Sequence, residues 1–215
     1  MNNILLADEL SSFKSLDIKS KLTIDGKAII NSINYEKDLD LDITINKGAI
    51  LVLNLFNKCK NKNVDINVSL NENSKLILAC SFITDGVYNL NINTNLLSNN
   101  AISNVYVRGI NEGNNDVKIK MDGKIDKDSK DNILNEYAKV INKGTGNIVI
   151  IPNLLVDSCN VEANHGAAIC KISDDDLLYL ESKGISNEKA NKLLEDSFIL
   201  SIFDEDFKGK IKEIL

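Results

Sequence analysis

Four stretches of this chain alternate apolar and polar residues strictly, and they recur at a nearly constant interval. Leu39, Leu41, Ile43 and Ile45 alternate with Asp40, Asp42 and Thr44. Val64, Ile66, Val68 and Leu70 alternate with Asp65, Asn67 and Ser69. Leu90 and Ile92 begin a third run, and Val117, Ile119 and Met121 a fourth. A period of two describes strands with one face buried and the other wet. Setting Leu39 on Val64 also places Asn46-Lys47-Gly48-Ala49 on Asn71-Glu72-Asn73-Ser74, and Leu51-Val52-Leu53 on Leu76-Ile77-Leu78. With an earlier copy near Leu16, the starts fall at 16, 39, 64, 90 and 117, steps of 23, 25, 26 and 27. Two strands and a polar turn per unit, repeating every twenty-odd residues, describe a solenoid. The reading is mainly β: a parallel β-helix whose inward residues stack from rung to rung.

Composition fits such a coil. Apolar residues make up 43% of the chain while aromatic residues are only 5%, with no Trp. Stacked rungs favour repeated Ile, Leu and Val over large rings. An antiparallel sandwich of evenly spaced hairpins is the alternative, and the repeat argues for the coil. An open solenoid end exposes strand edges and needs a cap or a partner.

After about residue 170 the pattern changes. Ser173 followed by Asp174, Asp175 and Asp176 is a helix start, with carboxylates where the helix dipole favours them. Leu177, Leu178, Tyr179 and Leu180 follow, and Gly184 is a helix stop. Ser186 begins a second helix, with Ala190, Leu193, Leu194, Phe198 and Ile202 at helical spacing. Phe207, Ile211, Ile214 and Leu215 suggest a third. The expected organisation is an N-terminal segment (1–13), a coil (14–170) and a helical domain (171–215). The helices either cap the coil or dock another protein.

Several function classes are excluded or disfavoured. The formal charge of −6, with Arg108 the single arginine, argues against a phosphate-backbone binder. One histidine rules out a metal site needing two imidazoles from one chain. The four cysteines, at 59, 80, 159 and 170, form no C-x-x-C pair and read as reduced, buried thiols. The start lacks a basic region and a long apolar run, and no stretch is long enough to span a bilayer, so a cytoplasmic chain without a membrane partner is expected. Gly144-Thr145-Gly146 lacks the lysine and helix of a phosphate loop, so no nucleotide is expected on this chain.

The lone histidine stands between coil and helices, in a segment that also holds the single proline, with two cysteines in it or near it: Ile151 to Ala168, with Asn164-His165-Gly166-Ala167-Ala168 at its end. A neutral imidazole can ligate metal. From Pro152 to about Phe198, the P-x-L-x-V segment, the N-H-G-A-A segment and the run Ile172-Ser173-Asp174-Asp175-Asp176-Leu177-Leu178-Tyr179-Leu180-Glu181-Ser182-Lys183-Gly184-Ile185-Ser186 resemble the C-terminal signature of the SufB/SufD proteins. These are scaffold subunits of the Suf iron–sulfur cluster assembly system. Upstream, the likeness is one of pattern only.

The resemblance implies a right-handed parallel β-helix followed by helices. It implies a non-enzymatic scaffold in a SufBCD-type complex, a SufC-like ABC-type ATPase docked on helices at 174–203, and pairing through the β-helix with a SufB-like subunit or a second copy. Docking would fall on Leu177, Leu178, Tyr179, Leu180, Leu193, Leu194 and Phe198. An iron–sulfur cluster would be held transiently, shared with another subunit. His165 matches the family histidine implicated at that interface. Gly166 stands where SufB subunits carry glutamate, which makes the chain more SufD-like. Ala163 stands where many members have cysteine, and Ile133-Leu134-Asn135-Glu136-Tyr137 offers no counterpart to the upstream SufB-type cysteine. Cys159 and Cys170 flank His165 off the family positions, with Cys159 kept as a second candidate metal ligand beside His165.

Two other classes compete. A carbohydrate-active β-helix enzyme would use carboxylates such as Asp116 and Asp122 with Arg108, but no aromatic sugar platform accompanies them. A purely structural solenoid would not require the helices.

Overall fold

The computed structural model describes residues 3–13, 19–34 and 38–215, with the backbone alone at 3–13, 19 and 34. Leu16, the first expected repeat start, lies outside the described residues. Twelve strands run in chain order: β1 (Asn3–Phe13), β2 (Lys19–Asn34), β3 (Leu39–Ile45), β4 (Ile50–Cys59), β5 (Lys62–Leu70), β6 (Lys75–Thr84), β7 (Tyr88–Leu96), β8 (Ile102–Asn111), β9 (Val117–Ile125), β10 (Asn132–Asn142), β11 (Ile148–Val156) and β12 (Val161–Cys170). Three helices follow: α1 (Asp174–Ser182), α2 (Asn187–Leu200) and α3 (Glu205–Lys212).

β1 pairs in parallel with β2, and from β2 to β10 each strand pairs in parallel with the strand two places later in the chain, which is the connectivity of a coil. One column stacks β3, β5, β7, β9 and β11, and the other β4, β6, β8, β10 and β12. The long β2 serves both columns, its first half against β3 and its second against β4, with Gly26 (φ 76°) at the bend. The expected parallel β-helix with a helical tail is therefore the fold. Gly48, Asn73, Asn100 and Asp131 sit at the corner between columns with φ of 73°, 57°, 58° and 58°. Glycine, asparagine and aspartate tolerate this left-handed turn best.

Register sharpens the repeat. Leu39 pairs with Val64 and Val64 with Leu90, as the alternation predicted. Leu90 then pairs with Ile119, and Val117 with Tyr88, two residues from the expected alignment. The cause is Tyr88, an inward strand residue whose phenol breaks the aliphatic pattern. A shift of two leaves every side chain on its face. Ile119 pairs with Ile150, a step of 31, so the rungs lengthen toward the C-terminus.

Inward residues form one aliphatic core from Leu22 to Val140. Outward residues of the first column are polar and tied in ladders. Asn67 Nδ2 donates to Asp42 Oδ1 (3.2 Å) and Asn93 Nδ2 to Asn67 Oδ1 (2.8 Å). The outward face of the second column is apolar in part: Phe56, Ala79, Ile83, Ile110 and Ile141 join Ile199, Leu200, Phe203, Phe207 and Ile211 in a second core. The helices thus lie along the flank of the second column, with α2 against β6 and β8. Lys143 Nζ pairs with Glu195 (2.8 Å) and Arg108 lies over the Phe198 ring (5.7 Å). Ser173 accepts from the Asp176 N–H as the expected cap, and Gly184 adopts φ 84° after α1.

Candidate functional site

β11 and β12 end the two columns. Among the described residues each pairs on one side only, β11 with β9 and β12 with β10. Their other edges carry backbone groups that no strand satisfies, which is a template for pairing with another chain. The inward residues of this rung, including Ile150, Leu154, Val161 and Ala163, rest on the core below but have nothing above them and stay half-buried. Ile169, in register with the fully buried Val140, is 53% exposed. The coil therefore ends in an apolar mouth with an open strand edge.

His165 stands in this mouth. β12 is in register with β10 from Asn132 to Ile141, which sets Ala163 on Leu134, His165 on Glu136 and Ala167 on Ala138. Paired residues of parallel strands share a face, and Leu134 and Ala138 belong to the inner core. The imidazole is thus an inward-series side chain left exposed by the end of the coil.

Glu136 was missed by sequence reasoning, which noted its neighbourhood only for lacking cysteine. It is fully buried, 0% exposed, in the same inward row. Its Oε1 accepts from Thr94 Oγ1 (3.3 Å), and its Oε2 has no hydrogen-bond partner. Gly123 makes room for it: a Cβ there would lie 2.9 Å from Oε1. Burial pushes the carboxyl up to about 7, the Thr94 hydrogen bond draws it back, and the Asp122 charge adds to the rise. The usable signal was parity: in Leu134-x-Glu136-x-Ala138-x-Val140, one acid occupies a core position.

The other expected site residues divide. Cys159 lies exposed in the turn before β12 and Cys170 at its end, half-buried, its Sγ toward Val140 O (3.6 Å). Cys170 belongs to the outward series beside the second core, so it does not join His165 in the mouth. Among the described residues no three His, Cys, Asp or Glu side chains are gathered to hold a metal. A cluster carried here would need donors from a second subunit. On the helices, Leu178 (63%), Tyr179 (62%) and Leu193 (52%) are exposed. Leu177, Leu180, Leu194 and Phe198 are half-buried. The buried face of α2 is Ala190, Glu195, Ile199 and Leu200, not the stripe through Leu193. Helical spacing alone did not reveal which of two apolar faces meets the coil.

The competing readings find no support in this geometry. Asp116 and Asp122 are held by Asn147 (3.2 Å) and Asn153 (2.7 Å) in the outer ladder. Gly144 sits where a Cβ would meet Gly113 O at 1.7 Å, so its lack of a side chain serves rung stacking. No helix among the described residues is long and apolar enough to cross a membrane.

Comparison with known proteins bears on this arrangement. The family described as SUF system FeS cluster assembly, SufBD core domain, matches residues 52–198, from within β4 through most of α2. A similar protein is the iron-sulfur cluster assembly SufBD family protein slr0076 of Synechocystis sp. (strain ATCC 27184 / PCC 6803 / Kazusa), 37% identical over 66 residues. That alignment covers 29% of this chain and 15% of the relative, so it spans only a small part of the relative's length.

Proposed function

The chain belongs to the SufBD core domain family, and on that premise we propose that it is a non-enzymatic scaffold subunit for iron–sulfur cluster assembly. The cluster is its cargo. The observation that carries this reading is the open terminal rung: an unpaired edge and an apolar mouth with the chain's single imidazole in it, inside the family-matched segment. One histidine cannot hold a cluster, whose iron favours thiolates. A second SufB/SufD-type subunit, or a second copy of this chain, seats on β11 and β12 and completes the donor set.

The helices are the handle for an ABC-type ATPase. Part of their apolar surface is already committed to the second core through Ile199, Leu200, Phe207 and Ile211. Leu178, Tyr179 and Leu193 are left exposed, and Leu177, Leu180 and Leu194 are half-buried. Large exposed apolar side chains on paired helices mark a protein contact. The nucleotide chemistry belongs to that partner.

The test is co-expression with the Suf-type ATPase and the companion scaffold subunit, followed by affinity capture of this chain. Both should be recovered. Leu178→Asp with Tyr179→Asp should lose the ATPase and keep the companion, because neither residue contributes to the buried core. His165→Ala should keep both and reduce the iron and sulfide recovered with the complex. Retention of the ATPase by the double variant would refute the helical handle.

A further inference from the structure

The outward face of the second column carries a cleft of about 300 Å³. Tyr106 and Arg108 of β8, residues 137–139 of β10 and residues 166–168 of β12 line it. Register sets its outward side chains in two rows. Tyr106 pairs with Tyr137 and Tyr137 with Gly166, while Arg108 pairs with Lys139 and Lys139 with Ala168. The two tyrosine rings stack with centroids 6.1 Å apart. A Cβ at Gly166 would come within 3.0 Å of Tyr137 Cδ1, so glycine lets that ring lie against the edge strand. The second row is a run of donors. Ser81, in register with Arg108, is fully buried and its hydroxyl has no hydrogen-bond partner. Arg108 is half-buried, gives one N–H to the Val107 carbonyl (3.0 Å) and lies over the Phe198 ring. A guanidinium has five N–H groups. Lys139 is exposed, and among the described residues no acid pairs with either cation. The flanking outward residues are Asn104, Asn135 and Asn164 on one side and Ile110, Ile141 and Cys170 on the other. Like charges at paired positions repel, yet this pair goes unneutralised in a chain with 31 acids against 25 bases. An anion suits the row.

We infer that this cleft binds a small aromatic anion, a single ring carrying a carboxylate or phosphate group, with the ring against Tyr137 and the anionic group at Arg108 and Lys139. The inference goes beyond the scaffold reading and does not rest on it. Adjacent strands lie about 4.8 Å apart, and both cations line the same cleft, so one anionic group there is within reach of either. Such bonds are charge-assisted and stronger than neutral ones. The two rows stand two residues apart along the strands, about 7 Å, a span that a ring with a short linker to its acid covers. Clefts walled by aromatic and small apolar residues, with a few convergent polar groups, take small molecules. The lining has no carboxylate, which a glycosidase would need.

Isothermal titration calorimetry of the full chain tests this with phenylacetate and phenyl phosphate, which separate the two kinds of acid. Acetate, inorganic phosphate and phenol serve as fragments, and the methyl resonances of Ala167 and Ala168 locate the binding. At least one ring-bearing anion should saturate at one per chain and shift those resonances. Each fragment should bind at least about tenfold more weakly. Lys139→Ala should weaken binding about tenfold, and Tyr137→Leu should abolish the advantage of the ring-bearing anion over its fragment. Both side chains are exposed, so these variants keep the fold. Lys118→Ala, exposed on the first column, should change nothing. Absence of saturation by both ring-bearing anions would overturn the assignment. So would equal binding by wild type and both cleft variants. If the anions fail and Lys139→Ala instead loses the ATPase or the companion subunit on capture, the cleft is a protein contact and the assignment falls. The captures described above can succeed in either case, so failure here is distinguishable from failure of the scaffold reading.

Discussion

The rung built from β5 and β6 and the rung built from β11 and β12 are turns of the same coil, yet they differ in what covers them. In the inner rung Val64, Ile66, Leu76 and Leu78 are sealed between neighbours above and below. In the terminal rung Ile150, Leu154 and Ala163 rest on the core on one side and are open to the mouth on the other. A solenoid core is built by nearest neighbours, so the same residue types stabilise the fold in one place and present a surface in the other.

Paired substitutions break or sharpen that contrast. The largest difference should come from removing matched bulk. Phe82, fully buried and stacked on Tyr88 with centroids 4.1 Å apart, should cost about 3–5 kcal/mol as Phe82→Ala. Leu154→Ala in the terminal rung should cost about 1 kcal/mol or less, because the side chain is already half solvated. Chemical denaturation of the two variants measures both. Equal costs would mean that the mouth is as sealed as the interior.

A smaller effect is expected from the asparagine ladder. Asn93 donates to Asn67 at 2.8 Å in the middle of the first column, and Asn93→Ala should lose about 1 kcal/mol. Asn164 donates to Asn135 at 3.0 Å on the exposed edge strand, and Asn164→Ala should lose only a few tenths by the same assay, since water replaces the bond.

Thiol chemistry separates the regions again. Cys80, sealed in the coil, has its thiol pushed up to about 12 by burial, against a hydrogen bond with Tyr88 that lowers it. It should resist a thiol reagent until the chain unfolds, while the exposed Cys159 reacts at once. Between pH 9 and about 12 the folded chain keeps a proton that the unfolded chain releases, so this group lowers stability as pH rises through that window. Cys80→Ala should flatten the alkaline decline measured by unfolding at stepped pH.

The chain spelled out its coil because alternation and stacking both act locally. Leu39, Val64 and Leu90 could be aligned by eye, since each inward position repeats an aliphatic type. Tyr88 defeated the alignment of the next rung because a phenol looks polar in a pattern search, though Asn57 Nδ2 meets its hydroxyl inside at 3.1 Å. His165 was legible as the one imidazole in a family-like segment. Glu136 was not, because its meaning depends on which strand face it shares and on Gly123 opposite, both set by register across rungs. The helices were visible, but the choice between Leu193 and Ile199 as the buried face was made by the flank of β6 and β8.

Hydrogen exchange of the chain alone and with the SufB/SufD-type companion proposed above tests the terminal rung most directly. The amides of Ile148–Val156 and Val161–Cys170 should exchange fast in the free chain and become protected on pairing, with the inner rungs slow throughout. Unchanged exchange in both strands, or protection confined to the polar ladder of the first column, would contradict the account.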